Sequence, residues 1–301
     1  MGIVSYNSLE DAIEGCFGKG VKITDRSYVG GGDINDSFRL ILDCDKRVFV
    51  KSNTLENRAF FEAEYSGLEA IASTKTLKTP KVLCMGIDES AGISFLMMEM
   101  IERGQSAKDC AQVFGQRLAK MHSADTSAFV RGGRFGFVSD NFIGATKQIN
   151  TCKDSWIEFF AICRLEPQLK MAAHYFERDI LQKLISALDR LDTILVEPDH
   201  PSLLHGDMWS GNIMTGSDGQ AMLIDPAAYV GHAEADIAMT ELFGRLPGDF
   251  YRSYAQSGLL AEGYEDRRDM YNLYHLLNHL NLFGRSYLSP VCATMRKYGF
   301  I

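Results

Sequence analysis

His205-Gly206-Asp207-Met208-Trp209-Ser210-Gly211-Asn212, followed by Leu223-Ile224-Asp225-Pro226, is the stretch on which the fold turns. Moving a phosphoryl group from a nucleoside triphosphate to an alcohol needs a carboxylate to orient and deprotonate the hydroxyl. It also needs oxygen ligands that hold Mg²⁺ on the triphosphate. Asp207 and Asn212 have the spacing of the Asp and Asn in a protein-kinase catalytic loop. Asp225, at the end of a strand-like run, stands where the metal-binding Asp of the following motif belongs. Taken singly, a loop carboxylate caps a turn and an asparagine forms one. The ordered set (loop Asp, Asn, short hairpin, Asp) points instead to Asp207 as general base and to Asn212 and Asp225 as Mg²⁺ ligands.

Upstream, Gly30-Gly31-Gly32-Asp33-Ile34-Asn35-Asp36-Ser37 joins two strand-like runs, and glycines there let backbone N–H groups approach phosphates. Gly31, Gly32 and Asn35 are the nucleotide-facing candidates, although the run has neither the third glycine of G-x-G-x-x-G nor a following G-K-[ST]. Lys51 closes the apolar strand Val48-Phe49-Val50. Alone it reads as an exposed strand-end lysine. With a glycine loop before it and a helix bearing Glu62 and Glu64 after it, Lys51 becomes the ammonium for the α/β-phosphates and Glu64 its ion-pair partner. Glu62 competes for that place. Phe95 to Ile101 passes where a kinase chain crosses between lobes. Met98 would line the adenine pocket, and backbone groups of Glu99 and Ile101 would meet the adenine edge; the competing reading is a buried strand.

Around these motifs the chain divides into two textures. A capped opening helix, Ser8 to Phe17, precedes strands at 22–29, 37–42 and 47–51; an amphipathic helix at 56–73 is followed by strands at 82–87 and 94–101. Beyond Gly104, helical patterns recur at about 108–122, 154–173, 176–192, 233–243, 264–283 and 287–298, interrupted by a hairpin pairing 212–214 with 221–224. The expectation is an α+β, protein-kinase-like two-lobed fold. Residues 1–100 form a small antiparallel-sheet nucleotide-binding lobe with one main helix, and residues 101–301 a larger, mainly helical catalytic and substrate-binding lobe.

Bulk properties exclude other classes. A net charge of −8 without a basic block gives no support for nucleic-acid or anionic-membrane binding. Seven scattered cysteines without a C-x-x-C pair fit a reducing cytoplasm. The N-terminal stretch lacks a secretory pattern, no apolar run is long enough for a bilayer, and Tyr6 stands where a myristoylation signal after Gly2 wants Ser or Thr. A cytoplasmic enzyme is expected.

At HGDMWSGN, LIDPAAYVGHAEADIAMTELFG, GGGDIND, VFVKSN, FFEAEYSGLEAI, FLMMEMIERG and FGQRLAKMH, the sequence resembles the fructosamine/ketosamine kinases, relatives of the aminoglycoside phosphotransferases, over essentially its whole length. The resemblance implies ATP-dependent phosphorylation of a sugar hydroxyl, typically O3 of a ketosamine. The phosphorylated adduct then releases its amine, so the implied role is deglycation of small molecules, peptides or proteins. It also implies Trp209 as a substrate-side wall, although the indole equally suits packing of the loop. His205 reads as scaffold or proton carrier, and His122 as a buried polar or capping group. His232, Glu234 and Asp236 read as loop and helix-cap residues rather than a metal cluster. Two rivals stand beside this reading: an aminoglycoside, choline or homoserine kinase on the same scaffold, and a nucleotide-binding pseudokinase acting through a partner.

Overall fold

A computed structural model describes residues 3–30 and 34–301. The expected nucleotide-facing Gly31 and Gly32 lie outside the described residues. The N-terminal lobe is a six-stranded sheet in the order β1-β5-β6-β4-β3-β2, comprising β1 (Ser5–Tyr6), β2 (Ile23–Tyr28), β3 (Asp36–Leu42), β4 (Arg47–Thr54), β5 (Val82–Asp88) and β6 (Ile93–Glu99). From β2 to β6 all pairings are antiparallel, as expected. The added edge strand β1 runs parallel to β5, making the sheet mixed. Two residues show too little alternation for such a strand to be read from sequence.

Alternation along β4 sorts its side chains onto two faces. Val48 and Val50 turn to one side and pack with Leu9, Ala12 and Ile13 of α1 (Leu9–Phe17). The Asp11 N–H donates to Ser8 Oγ at 3.0 Å, capping that helix. Phe49 and Lys51 turn the other way, toward α2 (Arg58–Ser73), whose Phe61 and Leu68 pack with Met85, Leu96 and Met98. β6 ends at Glu99, so Ile101 lies just past the strand in which it was expected. Whether a strand continues there depends on pairing with β4, whose register begins at Val48–Glu99.

The C-terminal lobe holds α3 (Cys110–His122), a hairpin of β7 (Asn141–Ile143) and β8 (Thr146–Gln148), α4 (Trp156–Phe160), α5 (Glu166–Met171), α6 (Arg178–Ala187), β9 (Ser202–Leu204), β10 (Ile213–Thr215), β11 (Ala221–Leu223), β12 (Tyr229–Gly231), α7 (Ala233–Met239), α8 (Gly248–Ala255), α9 (Tyr264–Phe283) and α10 (Leu288–Lys297). The continuous helix expected at 154–173 is broken by a π-helical stretch, Ala161–Leu165, between α4 and α5. There the fully buried Arg164 donates to Ile149 O at 2.6 Å and to Asn150 Oδ1 at 2.8 Å. A register slip that satisfies a buried guanidinium leaves no mark in hydrophobic periodicity.

The lobes share one core. Ala70 and Ile71 of α2 belong to the same buried cluster as Phe114 and Leu118 of α3, and Gly67 of α2 rests against Pro226. A Cβ at Gly67 would lie 3.0 Å from Pro226 Cγ and 3.3 Å from Ala228 Cβ. We therefore expect Gly67→Val to overpack this contact and lower unfolding free energy by about 1–3 kcal/mol. Chemical denaturation measures it; an unchanged midpoint would show that the helix shifts freely against the loop.

Candidate active site

Four chain segments converge at the junction of the lobes. β4 runs on to Thr54, because its pairing with β6 continues past Lys51, so Lys51 is interior rather than closing the strand as expected; alternation turns it to the α2 side, where Lys51 Nζ meets Glu64 Oε1 at 2.7 Å and Asp225 Oδ1 at 2.5 Å. The competition between the two glutamates is thereby decided geometrically. Glu62 points outward and pairs with Arg58 one helical turn earlier, at 2.9 Å. Lys51 is 8% exposed, and the dehydration that would neutralise an isolated lysine is outweighed by Asp225 and Glu64, so its ammonium is held above its ordinary range. Burial pushes the Glu64 carboxyl up, and Asp225 adds to that push against the pull of Lys51. One cation thus serves two carboxylates.

Asp225 sits in a left-handed backbone conformation, φ 55°, which turns its carboxylate from β11 back toward the cleft. Its side chain remains 46% exposed, and Lys51 engages one of its two oxygens. Asn212 donates through Nδ2 to both the backbone O and the Oδ2 of Asp207, each at 2.9 Å. Its Oδ1 therefore remains an acceptor. Burial, opposed by the Asn212 hydrogen bond and reinforced by Asp225 and Asp236, pushes the Asp207 carboxyl up to about 7.

The loop carrying Asp207 is clamped from below. Asp236 of α7, although burial opposes its charge, is held below its usual range by His122 and by loop amides. Its oxygens accept the His205 N–H at 2.7 Å and the Gly206 N–H at 2.9 Å. His122 bridges Asp236 (3.2 Å) and Tyr254 (2.7 Å). His205 Nδ1 accepts the Asp207 N–H at 3.3 Å, which leaves Nε2–H to donate to Ile224 O at 2.9 Å. This buried, desolvated imidazole, held below its usual pKa, links the Asp207 and Asp225 segments as a scaffold. Gly206 is required: its φ is 80°, and a Cβ would fall 2.1 Å from Ala227 O.

A second brace went unread in the sequence. Asn141 Nδ2 donates to Ala228 O at 2.7 Å, and Gln148 Nε2 to Ala227 O at 3.0 Å, so the β7–β8 hairpin holds the chain just after Asp225-Pro226. Phe142 of the same hairpin stacks on Phe60 of α2, centroids 4.1 Å apart. The signal that could have found it is the Gly144-Ala145 pair between Ile143 and Thr146, a two-residue hairpin turn with Gly144 at φ 60°.

Trp209 is 38% exposed, with its ring lying over Gly211, where a Cβ would come within 2.3 Å, and edge-on to Phe243. It packs the loop and still offers surface to the cleft. Met98 is buried on β6 opposite Phe49, on the α2 side of the sheet that Lys51 also faces. The Glu99 N–H is committed to Lys81 O at 2.9 Å, so it is not free for a nucleotide; the Ile101 N–H takes no partner among the described residues. Asn35 lies beside the end of β4, where its Oδ1 accepts from Asn53. His232 caps α7 by accepting the Glu234 N–H, and Glu234 pairs with Arg267 at 2.7 Å, so neither is arranged as a metal ligand.

For Mg²⁺, the donors fit: a free carboxylate oxygen of Asp225 and the carboxamide oxygen of Asn212 are hard ligands of the kind that ion takes. Among the described residues no cluster of three or more His, Cys, Asp or Glu could hold a metal unaided. A cation that retains water and phosphate oxygens needs only one or two protein ligands.

A buried lysine–glutamate pair over an Asp-Asn loop and a second aspartate is the disposition of a phosphotransferase, and sequence comparison decides among its kinds. The profile of the fructosamine kinase family matches residues 5–299. The chain belongs to the fructosamine kinase family, and it is a kinase. It is 40% identical to a probable ketoamine kinase of Synechocystis, covering 94% of this chain and 92% of that one. It is 41% identical to the chloroplastic protein-ribulosamine 3-kinase of Arabidopsis thaliana, covering 93% and 84%. The crystal structure of a candidate fructosamine-3-kinase from Thermobifida fusca superposes with a TM-score of 0.80 at 31% identity, covering 97% and 98%.

The clamp beneath the loop is open to test. Asp236→Ala strands two buried loop amides and the His122 ring. We expect a loss of about 3 kcal/mol or more of folding stability, read as a fall in the denaturant midpoint; a loss within 0.5 kcal/mol, the usual scale of surface changes, would show that the clamp contributes little.

Proposed function

We propose that this kinase uses ATP and Mg²⁺ to phosphorylate a sugar hydroxyl of ketosamines of the fructosamine or ribulosamine type, at O3, so that the adduct becomes labile and the amine is recovered. The observation that carries the reading is the convergence of Lys51, Glu64 and Asp225 above an Asp207 whose carboxyl is half-neutral near pH 7. The family and the names of the relatives support the acceptor class. Residues 1–100 would grip the nucleotide, and residues 101–301 would carry the base and the acceptor surface.

In this mechanism Lys51, fixed by Glu64, receives the α/β-phosphates. Asn212 Oδ1 and the exposed oxygen of Asp225 would hold Mg²⁺, which when bound neutralises charge developing on the phosphate oxygens. Asp207, held in place by Asn212, accepts the hydroxyl proton as the hydroxyl oxygen attacks the γ-phosphorus, whose bond to the bridging oxygen of the β-phosphate breaks to release ADP. Trp209 offers an indole face to the C–H surface of the sugar. Met98 and the Ile101 N–H meet the adenine. Most of the rate enhancement then comes from positioning and fixed charges.

Two outcomes test the chemistry. Asp207→Asn should lower kcat by about 10²–10⁴-fold, the range for losing a general base, while the KM for ATP changes little; near wild-type turnover would remove the assignment. Because Asp207 must be ionised to act and its pKa is raised, kcat/KM should fall as pH drops through about 7. A flat profile down to pH 5 would exclude Asp207 as the group that titrates.

The acceptor is tested by mass spectrometry on a panel of ribulosamine and fructosamine adducts, free and peptide-bound, beside aminoglycosides and choline. Addition of one phosphate to the ketosamines is expected. Phosphate on aminoglycosides alone would overturn the acceptor class, and Mg-ATP binding with no transfer to any acceptor would mark a pseudokinase.

A further inference from the structure

We infer that Asn53 is a positioning residue for nucleotide binding: it fixes the Asn35 carboxamide so that Asn35 Nδ2 donates to the triphosphate. This rests on the ATP-dependent reading above. The orientation follows from groups whose roles are not interchangeable. The Thr54 N–H can only donate, and it points at Asn53 at 2.8 Å, so the receiving atom is Oδ1. The Ile34 carbonyl can only accept, and it lies 3.0 Å from the other end of the same amide, which is therefore Nδ2. Asn53 Nδ2 also lies 2.8 Å from the Asn35 side chain, so Asn35 must turn its own Oδ1 inward. Its Nδ2 is left facing away, with no partner among the described residues.

The direction of that free donor follows from strand register. Ser37 pairs with Lys51 across β3 and β4, so Asn53, two residues further along β4, lies on the face that Lys51 occupies, and Asn35, one residue before β3, is bonded to it there. That face carries the Lys51 ammonium. The two asparagines also border an open cavity of about 250 Å³ at the end of the sheet, lined with Ser52 and Gly92 and not by Lys51, so the pair is reached by solvent. Asn57, just before α2, closes the other end by donating to Asn53 Oδ1 at 3.0 Å. The end of the glycine-rich run, the end of β4 and the start of α2 are thereby tied through one side chain. A neutral amide is well suited here, because it bonds phosphate oxygen without competing with Lys51 for Glu64 and Asp225.

Calorimetric titration with Mg-ATP and with AMP, in the absence of any acceptor, tests this on wild type, Asn35→Ala, Asn53→Ala and the double variant. Each single change should weaken ATP about ten-fold or more, the size of one hydrogen bond to a charged group, and leave AMP within about two-fold. The double variant should bind ATP no more weakly than Asn35→Ala, since Asn53 acts through Asn35. Asn53→Ser shortens the side chain without adding charge beside the phosphates, so it replaces Asn53→Ala should that variant fold poorly. Unchanged ATP affinity, equal losses for ATP and AMP, or multiplying effects in the double variant would each overturn the inference. Failure of the wild type to bind ATP would instead sink the ATP-dependent reading on which it rests.

Discussion

Everything at the junction of the lobes depends on one buried ammonium held by two carboxylates. Lys51 comes from a strand, Glu64 from a helix of the same lobe and Asp225 from the loop after a hairpin of the other. A buried charge without a partner is costly, so each element is constrained to stay where it completes the trio. The arrangement is still short of one positive charge. That deficit distinguishes a functional cluster from a balanced structural ion pair such as Arg267–Glu234, where fork and carboxylate match and nothing is left over.

The rest of the lobe is organised to hold the loop that faces this trio. Backbone amides cannot be rotated away once a loop is buried, so each needs an acceptor. Asp236 supplies it for His205 and Gly206, His205 passes the constraint to Ile224, and the β7–β8 hairpin secures Ala227 and Ala228. Asp207 is thus positioned by hydrogen bonds to its own backbone and from Asn212, in a half-buried setting whose desolvation pushes its carboxyl up.

What the sequence discloses follows from how local the physics is. The two-lobed α+β fold was legible because strand alternation around Lys51 and helical spacing in α2 and α9 are local patterns. The order of Lys51, Glu64, Asp207, Asn212 and Asp225 is likewise written in the chain. The choice of Glu64 over Glu62 was not, because it depends on the rotational setting of α2 against β4, a tertiary quantity. The π-helical stretch and the Asn141–Gln148–Asn150 network escaped for the same reason: polar groups that find each other across the fold have no period. The bond from the Glu99 N–H to Lys81 O, which leaves only the Glu99 carbonyl for an adenine edge, likewise joins residues far apart in sequence. Asn53 carried no reading of its own in the sequence, and only the roles of its backbone partners give it a direction.

The charge balance constrains how the proposed reaction can run. Asp225 and Glu64 share Lys51 as their one cation, and Asp207, whose carboxyl Asp225 pushes further up, has none, in a chain of net charge −8. A triphosphate arriving alone would meet more negative charge than the ammonium can offset. It would also raise the Asp207 carboxyl further, disabling the base when it is needed. Binding of nucleotide with a divalent cation relieves both, since positive charge placed near Asn212 and Asp225 favours the ionised form of the carboxylate beside them. In the proposed reaction, proton acceptance by Asp207 is then coupled to loading of the neighbouring donors, because its carboxyl, pushed up to about 7, is only about half ionised at neutral pH without that positive charge.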